Sequence, residues 1–125
     1  MALTVSSAQK AKGLFIISPA GSLDSNTYLI FQEQIEKVLP EKPAMIVFDM
    51  KALEYMSSAG VRVILKTRDT LKKNDGKITF LNLQPQIKKV FEIINALPSM
   101  RIFSSIQELD DYLDVMQKKV ISAED

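Results

Sequence analysis

The sequence predicts one α/β domain built on a mixed, partly parallel sheet of four to five strands with about four helices. Three observations carry that expectation. Strand-like and helix-like hydrophobic periods alternate in the order β-β-α-β-α-β-α-(β)-α. Single helix-length segments separate the later strands, which requires crossover connections and therefore parallel neighbours. No repeat, linker or low-complexity stretch divides the 125 residues, a length suited to one hydrophobic core. The domain is expected over residues 1–117, with 118–125 a fraying tail of weaker periodicity.

Each element has a local reason. Leu3–Ser7 alternates apolar and polar residues, and Leu14–Ser18 follows after a short turn, so the chain opens with a hairpin. Pro19 to Ser22 ends the second strand, and Asp24 or Ser25 caps a helix whose apolar stripe is Tyr28, Phe31, Ile35, Val38 and Leu39. Pro40 and Pro43 stop that helix. Ala44–Phe48 is apolar on both faces, as an interior strand requires, and Asp49–Met56 reads as a loop. A second helix runs from Ser57 or Ser58 to about Lys73, with Val61, Ile64, Leu65, Arg68 and Leu71 along its stripe. Asn74-Asp-Gly76 turns the chain into a fourth strand, Lys77–Leu83. Pro85 opens a third helix striped by Ile87, Val90, Phe91, Ile94 and Leu97. Arg101–Phe103 is a candidate short strand. Ser105-Ile-Gln-Glu108 has the capping-box pattern that opens a last helix, with Ile106, Leu109, Leu113 and Met116 facing inward.

Composition excludes whole classes of function. The chain has neither histidine nor cysteine. Histidine general-base chemistry, Cys-His and Ser-His-Asp nucleophiles, thiolate zinc sites, His- or Cys-held haem and disulfides are all ruled out. Sixteen basic against 15 acidic residues leave a net charge of +1, so no global field draws in nucleic acid or an anionic membrane. The N-terminal residues do not form a signal peptide, and no apolar run approaches membrane-spanning length. The expectation is a cytoplasmic, non-catalytic domain with no cofactor, no metal, no direct DNA binding and no membrane insertion.

The most informative local feature is the start of the second helix, Tyr55-Met-Ser-Ser-Ala-Gly60. A glycine in a first helical turn costs up to about 1 kcal/mol relative to alanine. Two readings fit so bare a helix start. One is an N-cap with close packing of the helix on its sheet. The other is a terminus kept small so that another molecule reaches a hydroxyl there, where free amides and the positive dipole end favour phosphate. Asp49 at a strand end invites comparison with receiver-domain acceptors, but no acidic pair follows the first strand. Asp110, Asp111 and Asp114 read as a solvated helix face. A serine hydrolase would need a lysine base and a Gly-x-Ser-x-Gly elbow, which is absent.

Leu53-Glu-Tyr-Met-Ser-Ser-Ala-Gly-Val-Arg-Val-Ile-Leu65 resembles the phosphorylation-site helix of STAS domains, the bacterial anti-sigma factor antagonists. Gly21-Ser-Leu-Asp24 is similar to the family's Gly-x-Leu-Asp after the second strand, and Val47-Phe-Asp-Met50 to its third strand. The order of elements matches as well, so the resemblance implies a STAS-like fold over essentially the whole chain. It also implies partner switching: transcription regulation in which a phosphoprotein in its unphosphorylated form binds an anti-sigma factor with serine kinase activity and releases a sigma factor. That kinase would switch the antagonist off, and a PP2C-type phosphatase would reverse the modification. Matching Met56 and Gly60 to the pattern puts the phosphoacceptor at Ser58. The preceding position is often aspartate in the family but is Ser57 here, which makes Ser57 a rival acceptor. The implied partner surface comprises Ser22, Asp24, Met56, Ser57, Ser58, Ala59, Gly60 and Arg62. Two alternatives stand beside it: a STAS module of another signalling assembly without kinase switching, and a nucleotide- or small-ligand-binding domain.

Overall fold

The computed structural model describes residues 2–96 and 105–124. Its elements are β1 (Leu3–Ala11), β2 (Leu14–Leu23), α1 (Tyr28–Val38), a 3-10 turn (Leu39–Glu41), β3 (Met45–Asp49), β4 (Leu53–Met56), α2 (Ser58–Lys72), β5 (Lys77–Leu81), α3 (Pro85–Ala96) and α4 (Ile106–Glu124). The sheet is mixed and five-stranded, in the order β1-β2-β3-β5, with β4 also paired to β2. The expected α/β architecture is therefore present. Its fifth strand is β4, inside the stretch read as a loop, whereas the candidate strand at 101–103 lies outside the described residues.

β2 explains that difference. It runs antiparallel to β1, from Leu3 opposite Gly21 to Ala11 opposite Leu14. Along its other edge it forks, taking β3 parallel at Leu14–Ile17 and β4 parallel at Gly21–Leu23. Pro19 falls in the gap between those two ladders, where its missing N–H is not needed, so β2 continues through the proline that was expected to end it. The β4 segment Leu-Glu-Tyr-Met is too short to show a strand period by itself; pairing with β2 makes it a strand. Between β3 and β4 the chain makes a turn in which Asp49 Oδ1 accepts from Lys51 N at 3.2 Å and from Asn82 Nδ2 at 3.2 Å. The strand-end aspartate is thus a turn former.

Among the described residues no strand lies along the outer edge of β4, and three glutamine side chains bond to it. Gln84 Nε2 donates to the carbonyls of Lys51 (2.7 Å) and Leu53 (2.9 Å), and Gln86 Nε2 to that of Glu54 (3.2 Å). Gln117 from α4 donates to Met56 O at 2.9 Å and accepts from Met56 N at 3.0 Å. Side-chain amides thereby do for this edge what another strand's peptide groups would do.

The helices pack much as the periodicity predicts, with local corrections, and Leu97 of the expected α3 stripe lies outside the described residues. α1 buries Phe31, Ile35 and Val38 but starts at Tyr28, with no side-chain cap. The expected capping residue is engaged in the turn before it: Asp24 Oδ1 accepts from Asn26 N at 2.8 Å, and Thr27 Oγ1 donates to Ser22 O at 2.8 Å. On α2 the buried stripe contains Thr67 rather than Arg68. The threonine hydroxyl donates to Val63 O at 2.8 Å, which satisfies it internally, while Arg68 pairs with Asp69 at the surface. Ser105 Oγ accepts from Glu108 N at 3.1 Å at the start of α4. α4 turns Leu109, Leu113 and Gln117 inward, leaves Ile106 exposed and continues to Glu124. Phe31, Phe48, Phe80 and Phe91 stack in series, with centroids 5.0–5.9 Å apart, linking α1, β3, β5 and α3.

Candidate functional site

The fork in β2 builds the site. β4 delivers Tyr55 and Met56 beside Leu23, and Ser57 N donates to Leu23 O at 2.9 Å, extending the parallel ladder by one rung. The chain then turns directly into α2. Ser57 is the N-cap, its extended backbone aiming Oγ at Ala59 N, from which it accepts at 3.3 Å. Ser58 is the first helical residue. A Cβ at Gly60 would lie 2.7 Å from Leu23 Cγ and 3.0 Å from Met56 Cγ. The glycine is therefore required by close packing of α2 on β2 and β4, the first of the two readings of the bare helix start.

The expected site residues do form one cluster, but they face different ways. Arg62 is exposed, and Asp24 and Ala59 are half-buried. Ser22, Met56 and Gly60 face inward and support the helix start from beneath. Ser57 and Ser58 are both buried, at 3% and 6% exposure. Among the described residues, Ser58 Oγ is the one buried side-chain polar atom with no hydrogen-bond partner. A lone hydroxyl of this kind calls for an explanation, since burial without a partner costs about 1–3 kcal/mol.

One participant was read as ordinary surface. Asp110, from α4, accepts from Ser58 N through Oδ1 at 2.8 Å. A carboxylate therefore already occupies the anion position at the α2 N-terminus, where free amides and the helix dipole favour negative charge. Sequence spacing gave no hint of this, because the contact joins residues 52 positions apart.

Charge divides the surroundings of Ser58. On one side a cleft of about 200 Å³ is lined by Asp24, Tyr55, Ser57, Asp110, Asp111 and Asp114. Burial first, and then the carboxylates of Asp114, Asp110, Asp24 and Asp111, push the Tyr55 hydroxyl up to about 12. On the other side a cleft of about 310 Å³ between α1, α2 and the start of α4 includes Ser25, Tyr28, Ser58, Arg62, Lys66 and Asp110. Among the described residues, no three His, Cys, Asp or Glu side chains are grouped to hold a metal ion, and no helix is long and apolar enough to cross a membrane.

Comparison with known proteins finds similar chains. A putative anti-sigma factor antagonist of Bordetella bronchiseptica, BtrV, is 27% identical over 96 residues, covering 77% of this chain and 83% of its own. An anti-sigma factor antagonist from Mycobacterium paratuberculosis superposes with a TM-score of 0.66 at 20% identity, over 80% of this chain and 89% of that one. The Bacillus antagonist SpoIIAA superposes at 0.62 in both its unphosphorylated and phosphorylated forms, at 22% identity, over 72% and 73% of this chain and 83% of each of those. The STAS domain model matches residues 6–109, the span from β1 through the buried Leu109 of α4, and the chain belongs to the STAS domain family.

Proposed function

We propose that this protein is an anti-sigma factor antagonist acting by partner switching. In its unphosphorylated form it binds an anti-sigma factor that is also a serine kinase, and so releases a sigma factor. The observation that carries this reading is the lone hydroxyl of Ser58 at the head of α2. Ser57 Oγ is engaged as the helix cap, which favours Ser58 as the acceptor. The relative SpoIIAA, which exists in phosphorylated and unphosphorylated forms, supports the same reading.

In the switching step Ser58 Oγ forms a bond to the γ-phosphorus of a nucleoside triphosphate held by the kinase. The bond from that phosphorus to the β–γ bridging oxygen breaks, the nucleoside diphosphate departs, and the hydroxyl proton passes to a base of the kinase. A PP2C-type phosphatase reverses the change by hydrolysis. The added phosphate brings about −1.5 to −2 charges into a neighbourhood that already holds Asp110, Asp24, Asp111 and Asp114. A partner surface matched to the unmodified helix head then meets a dianion, and a hundredfold loss of affinity needs only about 2.8 kcal/mol. Arg62, Asp24 and Ala59, which reach the surface around Ser58, form the outward part of the contact.

The test is affinity capture from the native cell extract with the unmodified chain, Ser58→Ala and Ser58→Asp as baits. The first two should retain an anti-sigma kinase and the third should lose it. Equal retention by all three would remove Ser58 from the switch.

A further inference from the structure

We infer that α4 is a gate over Ser58: Asp110 and Gln117 latch it onto the head of α2, and Ser58 Oγ becomes reachable only when this end of α4 releases. Two independent anchors define the latch. Asp110 Oδ1 holds Ser58 N at 2.8 Å, and Gln117, two turns further along, grips both backbone polar groups of Met56, at 3.0 and 2.9 Å. Beside these anchors on α4, Leu109 and Leu113 are wholly buried. Ser58 Oγ is itself buried and unpartnered where Ile106 and Asp110 of α4 meet α1 and α2 around the cleft of about 310 Å³, so the oxygen presents no open face to an in-line phosphoryl donor in the closed form. Phosphoryl transfer needs the attacking oxygen aligned with the donor phosphorus, a geometry that the closed arrangement excludes.

The latch also gives the modification a memory. Asp110 and a phosphate on Ser58 would compete for the same amides at the α2 N-terminus, and two anions do not share that position. Once Ser58 carries a phosphate, the carboxylate of Asp110 is displaced and α4 does not reseat in its original place. This part rests on Ser58 being the acceptor; the gate itself does not.

The absence of cysteine makes the gate directly measurable without a kinase. Ser58→Cys places a single thiol under α4, and its rate of reaction with a disulfide reagent is compared with that of the same chain unfolded in denaturant. The gate predicts at least a hundredfold protection in the native chain. Adding Gln117→Ala should speed the reaction at least tenfold, and since Gln117 carries no charge, that change reflects opening and not a shift in thiol ionisation. Thr67→Cys, buried on α2 away from the latch, serves as the control in both backgrounds and should not respond to Gln117→Ala. A native thiol at position 58 that reacts as fast as the unfolded chain overturns the gate. So does a Gln117→Ala background that leaves position 58 unchanged, or one that speeds positions 58 and 67 equally and so reports global opening. If the gate behaves as expected while no kinase modifies Ser58, the proposed switch fails and the gate stands.

Discussion

Gly60→Ala tests whether the bare start of α2 exists for packing. Alanine is the better helix former by about 1 kcal/mol, so an exposed site would gain stability from the change. Here the new Cβ would lie 2.7 Å from Leu23 Cγ, 2.8 Å from Leu23 Cδ2 and 3.0 Å from Met56 Cγ. An ordinary carbon–carbon contact needs about 3.5–4.0 Å, so something must move by nearly an ångström. Leu23 and Met56 are both fully buried, and the clash is at the branch carbon of Leu23 and not only at its flexible end. Overpacking of this kind costs about 1–3 kcal/mol. With the propensity gain of about 1 kcal/mol subtracted, the variant should gain nothing and lose up to about 2 kcal/mol. Urea unfolding should give a midpoint at or below the parent's with an unchanged slope. A Gly60→Ala protein more stable than its parent by the full propensity gain of about 1 kcal/mol would refute the packing argument and return the glycine to the reading in which it leaves room for a partner.

Other outcomes follow from the same geometry. The Tyr55 hydroxyl, raised to about 12 in the folded chain from 10.0, contributes stability that is fully present below pH 10 and lost as pH rises toward 12, because the unfolded state gives up its proton first. Tyr55→Phe should flatten that alkaline decline, as measured by thermal unfolding across the range. Gly21 has φ +110° and lies against the carbonyl of Ala2, so Gly21→Ala should destabilise by at least about 1–3 kcal/mol through backbone strain alone, read as a lower unfolding midpoint. Ser57→Ala removes the cap on Ala59 N and should cost about 0.5–2 kcal/mol while leaving the proposed phosphorylation of Ser58 in place, followed as a mass shift of the intact chain.

What the sequence made legible was local. The hairpin, the apolar stripes of α1 and α3, the cap at Ser57 and the bare turn through Gly60 all follow from neighbouring residues, and each appears where local chemistry puts it. The parts that were not legible depend on distant partners. β4 is a strand because β2 is long enough to take a second parallel neighbour past Pro19. Thr67 displaces Arg68 from the buried stripe because its hydroxyl finds the carbonyl of Val63. Asp110 looks like one of several helix-surface acids until α4 is folded onto α2. Binary patterning ranks side chains by polarity, and a polar side chain whose partner lies far along the chain is invisible to it.

The same limitation bears on how a phosphoacceptor should be recognised. A serine at a helix head is common and is ordinarily a cap, and in this chain the capping duty falls to Ser57, one residue earlier. The doubled serine therefore separates two tasks that a single residue would have to share: one hydroxyl holds the helix start together while the next has no structural task. A phosphate placed on Ser57 would remove the cap and weaken the start of α2, whereas one placed on Ser58 would leave that cap intact and meet Asp110 instead. That division predicts a modified domain that remains folded but is altered at its surface. Ser58→Asp should accordingly retain the far-ultraviolet circular dichroism of the parent while losing its partner, and a variant that lost both would place the switch in folding and not in recognition.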